Sequence, residues 1–149
     1  MIYHVRTKRS RASAVSEPLS WPSAGQNSPG IVTIIRRGFN YPQIRAVQQV
    51  YQLPDKSFSR LIGISDKTLA RIKTSHAKLS AMSGDRLYRL KKTWELATEV
   101  LGSPEGALAW LRRPQAGLGR QVPIELLDTE PGYEQVQTLL NRIDYGVLP

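Results

Sequence analysis

Apolar residues recur at intervals of three and four positions from residue 31 onward, the spacing that places side chains on one face of an α helix. Pro42 marks the start of the first clear stripe, because proline is favoured in the first turn of a helix. The apolar positions that follow it are Ile44, Val47, Val50 and Tyr51. Residues 31–39 (IVTIIRRGF) are short and apolar, and their pattern fits either a strand or a first helical turn.

Two further helices are predicted on either side of Gly63. Pro54 opens one of them, and Ser65, a favoured N-cap residue, opens the next. Helices that meet at a sharp turn need a small residue where they cross, here Ser59, and a turn residue that tolerates positive φ, here Gly63. The apolar residues expected at the crossing are Phe58, Ile62, Ile64, Leu69 and Ile72. This arrangement predicts a helix-turn-helix, whose second helix enters the DNA major groove.

The outward face of that second helix carries residue types that contact nucleic acid. Arginine pairs with both acceptors of guanine, lysine reaches phosphates, and hydroxyl groups bond either. The predicted DNA-binding residues are Ser65, Asp66, Lys67, Thr68, Arg71, Lys73 and Thr74. The alternative is an ordinary helical hairpin with a solvated basic face. The same two interpretations apply to the basic residues Arg86, Arg89, Lys91 and Lys92 farther along the chain.

Three more helices are predicted after the helix-turn-helix. Ser83 is expected to cap a long helix that ends at Gly102, and Ser103 caps the short helix that follows. Thr129 caps the last helix, which runs toward the end of the chain. The predicted fold class is therefore all-α.

The charge of the chain changes along its length. The 149 residues together carry +9, but residues 1–50 carry +6, residues 51–100 carry +5 and residues 101–149 carry −2. A basic front half predicts a polyanionic partner, nucleic acid first. The start of the chain is rich in Ser, Pro and Gly and cannot bury a core. The predicted layout is a disordered basic arm (1–30), a helix-turn-helix DNA-binding and dimerisation domain (31–102) and a C-terminal domain (103–149).

Several classes of function are excluded by what the sequence lacks. It has no cysteine, which removes disulfide scaffolds, thiolate metal sites and cysteine nucleophiles. Its two histidines, His4 and His76, have no second ligand at metal spacing, and Gly117 and Gly119 do not complete a dinucleotide fingerprint. No apolar run reaches the roughly 20 residues that cross a bilayer. The basic N-terminus lacks the apolar core of a secretory signal. We therefore expect a cytoplasmic protein that is not an enzyme, takes no metal or cofactor and has no membrane partner.

The C-terminal third resembles the toxin-binding domain of the Xre/ParS/MbcA-type antitoxins. The run from Ala109 to Val147 carries most of that family's pattern, and the resemblance extends back through LIGISDKTLARIK to about Gly38. The matching residues are Ala107, Trp110, Leu111, Pro114, Leu118, Gly119, Pro123, Ile124, Leu126, Leu127, Thr129, Gly132, Val136, Leu140, Arg142, Ile143 and Gly146. One departure is Arg71-Ile72, where the family has two successive arginines.

The resemblance implies a type II antitoxin of a RES–Xre pair, with an Xre/Cro-like helix-turn-helix domain before a small toxin-binding domain. The toxins of such pairs are similar to ADP-ribosyltransferases and consume NAD⁺. The antitoxin would bind its cognate RES-domain toxin directly, plug the active-site entrance with its last helix and tail, and repress its own operon. The toxin-binding residues that this implies are Arg142, Asp144, Tyr145, Gly146, Val147 and Leu148.

A second hypothesis belongs to a different class. The chain would then be a stand-alone helix-turn-helix regulator whose C-terminal module dimerises or senses a ligand. Under both hypotheses we expect a homodimer on operator DNA, because helix-turn-helix repressors usually bind near-palindromic sites as two-fold dimers. A stable complex with the product of a neighbouring gene distinguishes the two.

Overall fold

The computed structural model describes residues 29–146, which contain seven α helices, two short 3₁₀ helices and no strand. The predicted all-α fold class is confirmed, whereas the predicted arm lies almost entirely outside the described residues. No helix in this part of the chain is long and apolar enough to cross a membrane. The α helices are α1 (Pro29–Arg37), α2 (Tyr41–Tyr51), α3 (Asp55–Ile62), α4 (Asp66–Ser75), α5 (Ala81–Leu101), α6 (Pro104–Leu111) and α7 (Glu130–Asp144), and the 3₁₀ helices are Ala116–Leu118 and Pro123–Leu126.

The apolar segment at residues 31–37 is helical, which resolves the alternative that its pattern left open. It forms α1 and packs against α5. A β-carbon on Gly84 of α5 would lie 3.3 Å from the ring of Phe39 and 3.6 Å from the carbonyl oxygen of Ile35, so the glycine allows a close approach. Burial of Ile31 and Phe39 on this surface outweighs the strand preference of a β-branched run, because tertiary packing overrides propensity.

The helix-turn-helix forms with the N-cap and the turn glycine that the sequence predicts, and α2 before it has a cap that was not predicted. A capping box of Asn40 and Gln43 starts α2. Gly63 takes a left-handed conformation (φ +73°) between α3 and α4, and the Ser65 hydroxyl accepts the Thr68 N–H at 3.0 Å. The predicted crossing residues that are buried here are Phe58, Ser59, Ile62, Leu69 and Ile72.

The start of the long helix was predicted wrongly. Ser80, not Ser83, is the N-cap of α5, and its hydroxyl accepts the N–H of Ser83 at 3.3 Å. Ser83 lies buried within the first turn. Both serines satisfy the sequence rule for an N-cap, and only the loop that delivers the chain to α5 decides between them. The predicted end is confirmed, since Gly102 is the left-handed C-cap.

One continuous core joins the two halves of the chain, and α5 lies at its centre. This helix contacts α1, α2 and α3 on one side and α6 and α7 on the other. Tyr51 of α2 is fully buried, donates its hydroxyl to the carbonyl of Leu90 at 2.7 Å and tilts against the ring of Trp94. Arg112, after α6, donates at 2.7 Å to the carbonyls of Tyr51 and Gln52. A cation at this position also interacts favourably with the negative, C-terminal end of the α2 dipole.

The start of α7 is fixed by a cap and by a close backbone approach. The Thr129 hydroxyl accepts the N–H of Gly132 at 3.1 Å, as the sequence predicted. A β-carbon on Gly132 would lie 1.9 Å from the carbonyl oxygen of Leu126, so only glycine fits. The loop before α7 is closed by an antiparallel bridge between Gln115 and Gln121. These contacts hold α7 against the 3₁₀ helices and α5.

Candidate functional site

The recognition helix α4 exposes most of the residues predicted to bind DNA. Among residues 29–146, neither Lys67 nor Arg71 has an acidic partner, so both cations are available to a ligand. The hydroxyls are partly used within the helix, because Ser65 and Thr68 bond each other at 2.9 Å and Thr74 donates to the carbonyl of Ala70 at 3.2 Å. The predicted residues that are exposed are Ser65, Asp66, Lys67, Arg71 and Thr74.

Lys73 differs from the other cations of α4 because it is already paired. Its ammonium lies 2.6 Å from a carboxylate oxygen of Asp55, at the start of α3, and 5.9 Å from the centre of the Tyr41 ring. Gln48 donates to the other oxygen of Asp55 at 2.7 Å. Hydrogen bonds from Lys73 and Gln48 lower the pKa of Asp55, and the bond to Asp55 raises the pKa of Lys73. The pair ties the C-terminal half of α4 to α3.

Two basic residues in the first half of α5, Arg89 and Lys92, contact the C-terminal half of the protein. Arg89 contacts α7, where its guanidinium pairs with Glu130 at 2.7 Å and lies 6.0 Å from the ring centre of Tyr133. Lys92 lies over the same ring. A hydrogen bond of 3.0 Å from Gln137 to the Thr93 hydroxyl completes this contact. The sequence pattern alone does not distinguish these basic side chains from basic side chains that are exposed.

Lys91 is a buried cation in the same helix. It is fully removed from solvent and forms an ion pair and hydrogen bond with Glu95, one turn farther along α5. The Glu95 side chain is 18% exposed. A lysine is rarely buried unless it is paired, so this pair is part of the structure and is not a free basic group.

A shallow groove of about 480 Å³ runs between α7 and the bridged loop before it. One side is formed by the outward face of α7 and the other by the first 3₁₀ helix. Its walls carry both polar and apolar groups, which suits a peptide or protein surface more than an apolar small molecule. The lining residues are Gly117, Leu118, Pro131, Glu134, Gln135, Thr138, Leu139 and Arg142.

The predicted tail residues continue from one end of this groove. Arg142 lines the groove, and Asp144 is exposed on the last turn of α7. Tyr145 donates its N–H to the carbonyl of Asn141 and leaves 79% of its surface exposed. Gly146 follows with φ +70°. The remaining predicted residues, Val147 and Leu148, lie outside the described residues.

A metal site is absent from the part of the chain that the structure describes: no group of three or more His, Cys, Asp or Glu residues could hold an ion there. Two surfaces stand out among the described residues: the exposed basic face of α4, and the groove beside α7, with the exposed Tyr145 following the end of that helix.

Comparison with known proteins gives the same two-part organisation. Residues 31–90 match the Antitoxin Xre-like helix-turn-helix domain, and residues 96–146 match the Antitoxin Xre/MbcA/ParS C-terminal toxin-binding domain. The fold therefore defines a helix-turn-helix protein with an appended toxin-binding module. The chain belongs to the Xre/MbcA/ParS antitoxin family, and it is an antitoxin of a toxin–antitoxin system.

Two relatives agree with this assignment, and one solved structure shares the fold. "Antitoxin Xre" of Yersinia enterocolitica is 29% identical over 78% of this chain and 80% of its own length. "Antitoxin Xre" of Photorhabdus laumondii is 27% identical over 89% of this chain and 92% of its own length. A chain of the M. tuberculosis MbcT–MbcA toxin–antitoxin complex shares the fold, with a TM-score of 0.55 at 20% identity, over 71% of this chain and 94% of that one. Antitoxins are not enzymes, which agrees with the prediction of a non-catalytic protein.

Proposed function

We propose that this antitoxin binds a RES-type, NAD⁺-consuming toxin and blocks the entrance of its active site with the end of α7. The observation that carries the proposal is the exposed Tyr145 beside Arg142 and Asp144 at the end of a toxin-binding module. Tyrosine and arginine dominate the energetics of protein interfaces. A site that binds an anionic dinucleotide is positively charged, and the C-terminal third of this chain, at −2, is complementary to it.

Co-expression with the neighbouring gene tests this proposal. We expect the neighbour alone to arrest bacterial growth and deplete cellular NAD⁺, and we expect this chain to relieve both effects. If the chain relieves a growth arrest that occurs without NAD⁺ loss, the antitoxin role would be supported and a RES-type partner would be excluded. A harmless neighbour, or a toxic one that is not relieved, would favour the stand-alone regulator whose C-terminal module dimerises or senses a ligand.

A second part of the proposal is that the chain acts in the cytoplasm as a homodimer and represses its own operon through α4. Lys67 and Arg71 are exposed and form no ion pair with residues 29–146, which supports this role. In the proposed complex Arg71 reads a guanine and Lys67 contacts a phosphate. The helix-turn-helix presents the N-terminal end of α4 toward the base edges.

The paired state of Lys73 leads to a prediction about that helix. We expect Lys73→Met to weaken DNA binding because it leaves the Asp55 carboxylate unpaired near the phosphates. The double variant Asp55→Asn, Lys73→Met should restore most of the affinity. The measurement is the dissociation constant for operator DNA as a function of salt, with Arg71→Gln as a variant expected to lose sequence preference.

The salt dependence separates this positioning role from direct phosphate contact. A lysine that contacts a phosphate contributes roughly 0.9 per bound chain to the magnitude of the slope of log affinity against log salt, and twice that for a dimer. We expect the double variant to keep the wild-type slope. A slope reduced by about that amount would show instead that Lys73 contacts DNA, as the sequence pattern predicted.

A further inference from the structure

The basic side chains of the helix-turn-helix half fall into two groups. Some are committed within the protein, to Asp55, Glu95, Glu130 or an aromatic ring; these are Lys73, Lys91, Arg89 and Lys92. Others are exposed and have no acidic partner among residues 29–146. Arg36, Arg37 and Lys78 are three of these, and they lie outside the predicted recognition surface.

The fold brings these three residues together from distant parts of the sequence. Arg36 and Arg37 form the end of α1, and Lys78 lies in the loop between α4 and α5. A hydrogen bond of 3.0 Å from the Leu79 N–H to the Phe39 carbonyl joins the two segments. At Gly38 (φ +87°) a β-carbon would lie 2.9 Å from the β-carbon of Lys78, so the backbones touch where the cations emerge.

The loop that carries Lys78 leaves directly from the C-terminal end of the recognition helix. His76 is the left-handed C-cap of α4. A helix of 10 residues is about 15 Å long, whereas the major groove is about 12 Å wide. When the N-terminal end of such a helix faces the base edges, its C-terminal end and the loop beyond it lie beside a phosphate strand.

We propose that Arg36, Arg37 and Lys78 form a phosphate-binding cluster that holds the DNA backbone next to the groove occupied by α4. This inference rests on the proposed DNA-binding function. The two arginines in the last turn of α1 also interact favourably with the negative end of that helix dipole. This role does not account for Lys78, which lies in no helix. The cluster adds affinity without sequence preference, because phosphates are the same at every position.

The test measures binding of the full chain to two DNA duplexes of equal length across a range of salt concentrations. One duplex is the segment upstream of the protein's own gene, and the other has a scrambled sequence. For each bound chain, we expect the double variant Arg37→Gln, Lys78→Gln to reduce the magnitude of the slope of log affinity against log salt by about 1.8, and Arg36→Gln alone to reduce it by about 0.9; a bound dimer shows twice these changes. Affinity for both duplexes should fall by the same factor.

A matched control removes the same charge elsewhere. Arg113→Gln with Arg120→Gln changes two exposed arginines of the C-terminal half, and we expect this variant to keep the wild-type slope. Thermal unfolding of every variant confirms that the fold is retained. An unchanged slope for the cluster variants, or a decrease equal to that of the control, would overturn the proposed cluster. If the wild-type chain binds neither duplex, the DNA-binding function fails as well.

Discussion

Replacing both Arg142 and Tyr145 by alanine in one chain is expected to abolish neutralisation of the toxin without unfolding the antitoxin. Both side chains are exposed, and neither supports the core. Anchor residues of this type each contribute about 2 kcal/mol or more to an interface, so the double variant should bind at least several hundredfold more weakly. Growth on co-expression and the dissociation constant of the purified complex measure the effect.

This double substitution is a sharper test than deletion of residues 142–149. The deletion also removes Ile143, which is partly buried against the core, and would confuse loss of binding with loss of stability. A matched control replaces both Arg113 and the exposed Met82 by alanine, and it should neutralise the toxin normally. Full neutralisation by the Arg142 and Tyr145 variant would place the toxin contact elsewhere on the module.

The second large effect is expected at the buried ion pair of α5. Glu95→Ala removes the carboxylate beside Lys91, whose side chain has no solvent exposure. Removing one partner of a buried ion pair typically costs about 3–5 kcal/mol. That is a large share of the 5–15 kcal/mol by which small proteins are stable. Urea unfolding followed by circular dichroism would measure the loss.

An apolar replacement of both partners provides the control. Replacing a buried pair by apolar residues of similar volume is often neutral, so Lys91→Met with Glu95→Leu should recover most of the stability lost in Glu95→Ala. A double variant that is as unstable as Glu95→Ala would mean that Lys91 is required for other contacts that it makes within the core.

Local signals account for most of what could be predicted from the sequence. Ser65 and Thr129 each accept the N–H of the third residue after them, a relation that depends only on nearby backbone. Gly63 was identified because the turn needs positive φ, and the structure gives it φ +73°. The exposure of α4 follows from the spacing of Leu69 and Ile72 on the opposite face.

What could not be predicted depends on residues that are far apart in the sequence. Lys73 and Asp55 are on different helices, and their pairing follows from the angle between α3 and α4. The contact of Arg112 with the end of α2 spans about sixty residues of chain. Position along the chain cannot tell the exposed Arg37 from the buried Lys91, although both lie in basic stretches.

The central position of α5 has a consequence for how toxin specificity changes between related antitoxins. A recombination joint near Gly102 would place α5 of one parent against α6 and α7 of the other and would break the Arg112 contact with α2. Such a chimera starts with a mismatched core. Exposed positions of α7 such as Glu134, Thr138 and Tyr145 have no such constraint. If the end of α7 contacts the toxin as proposed, single substitutions at these exposed positions change toxin specificity without disturbing the core, whereas exchange of the whole module disturbs it.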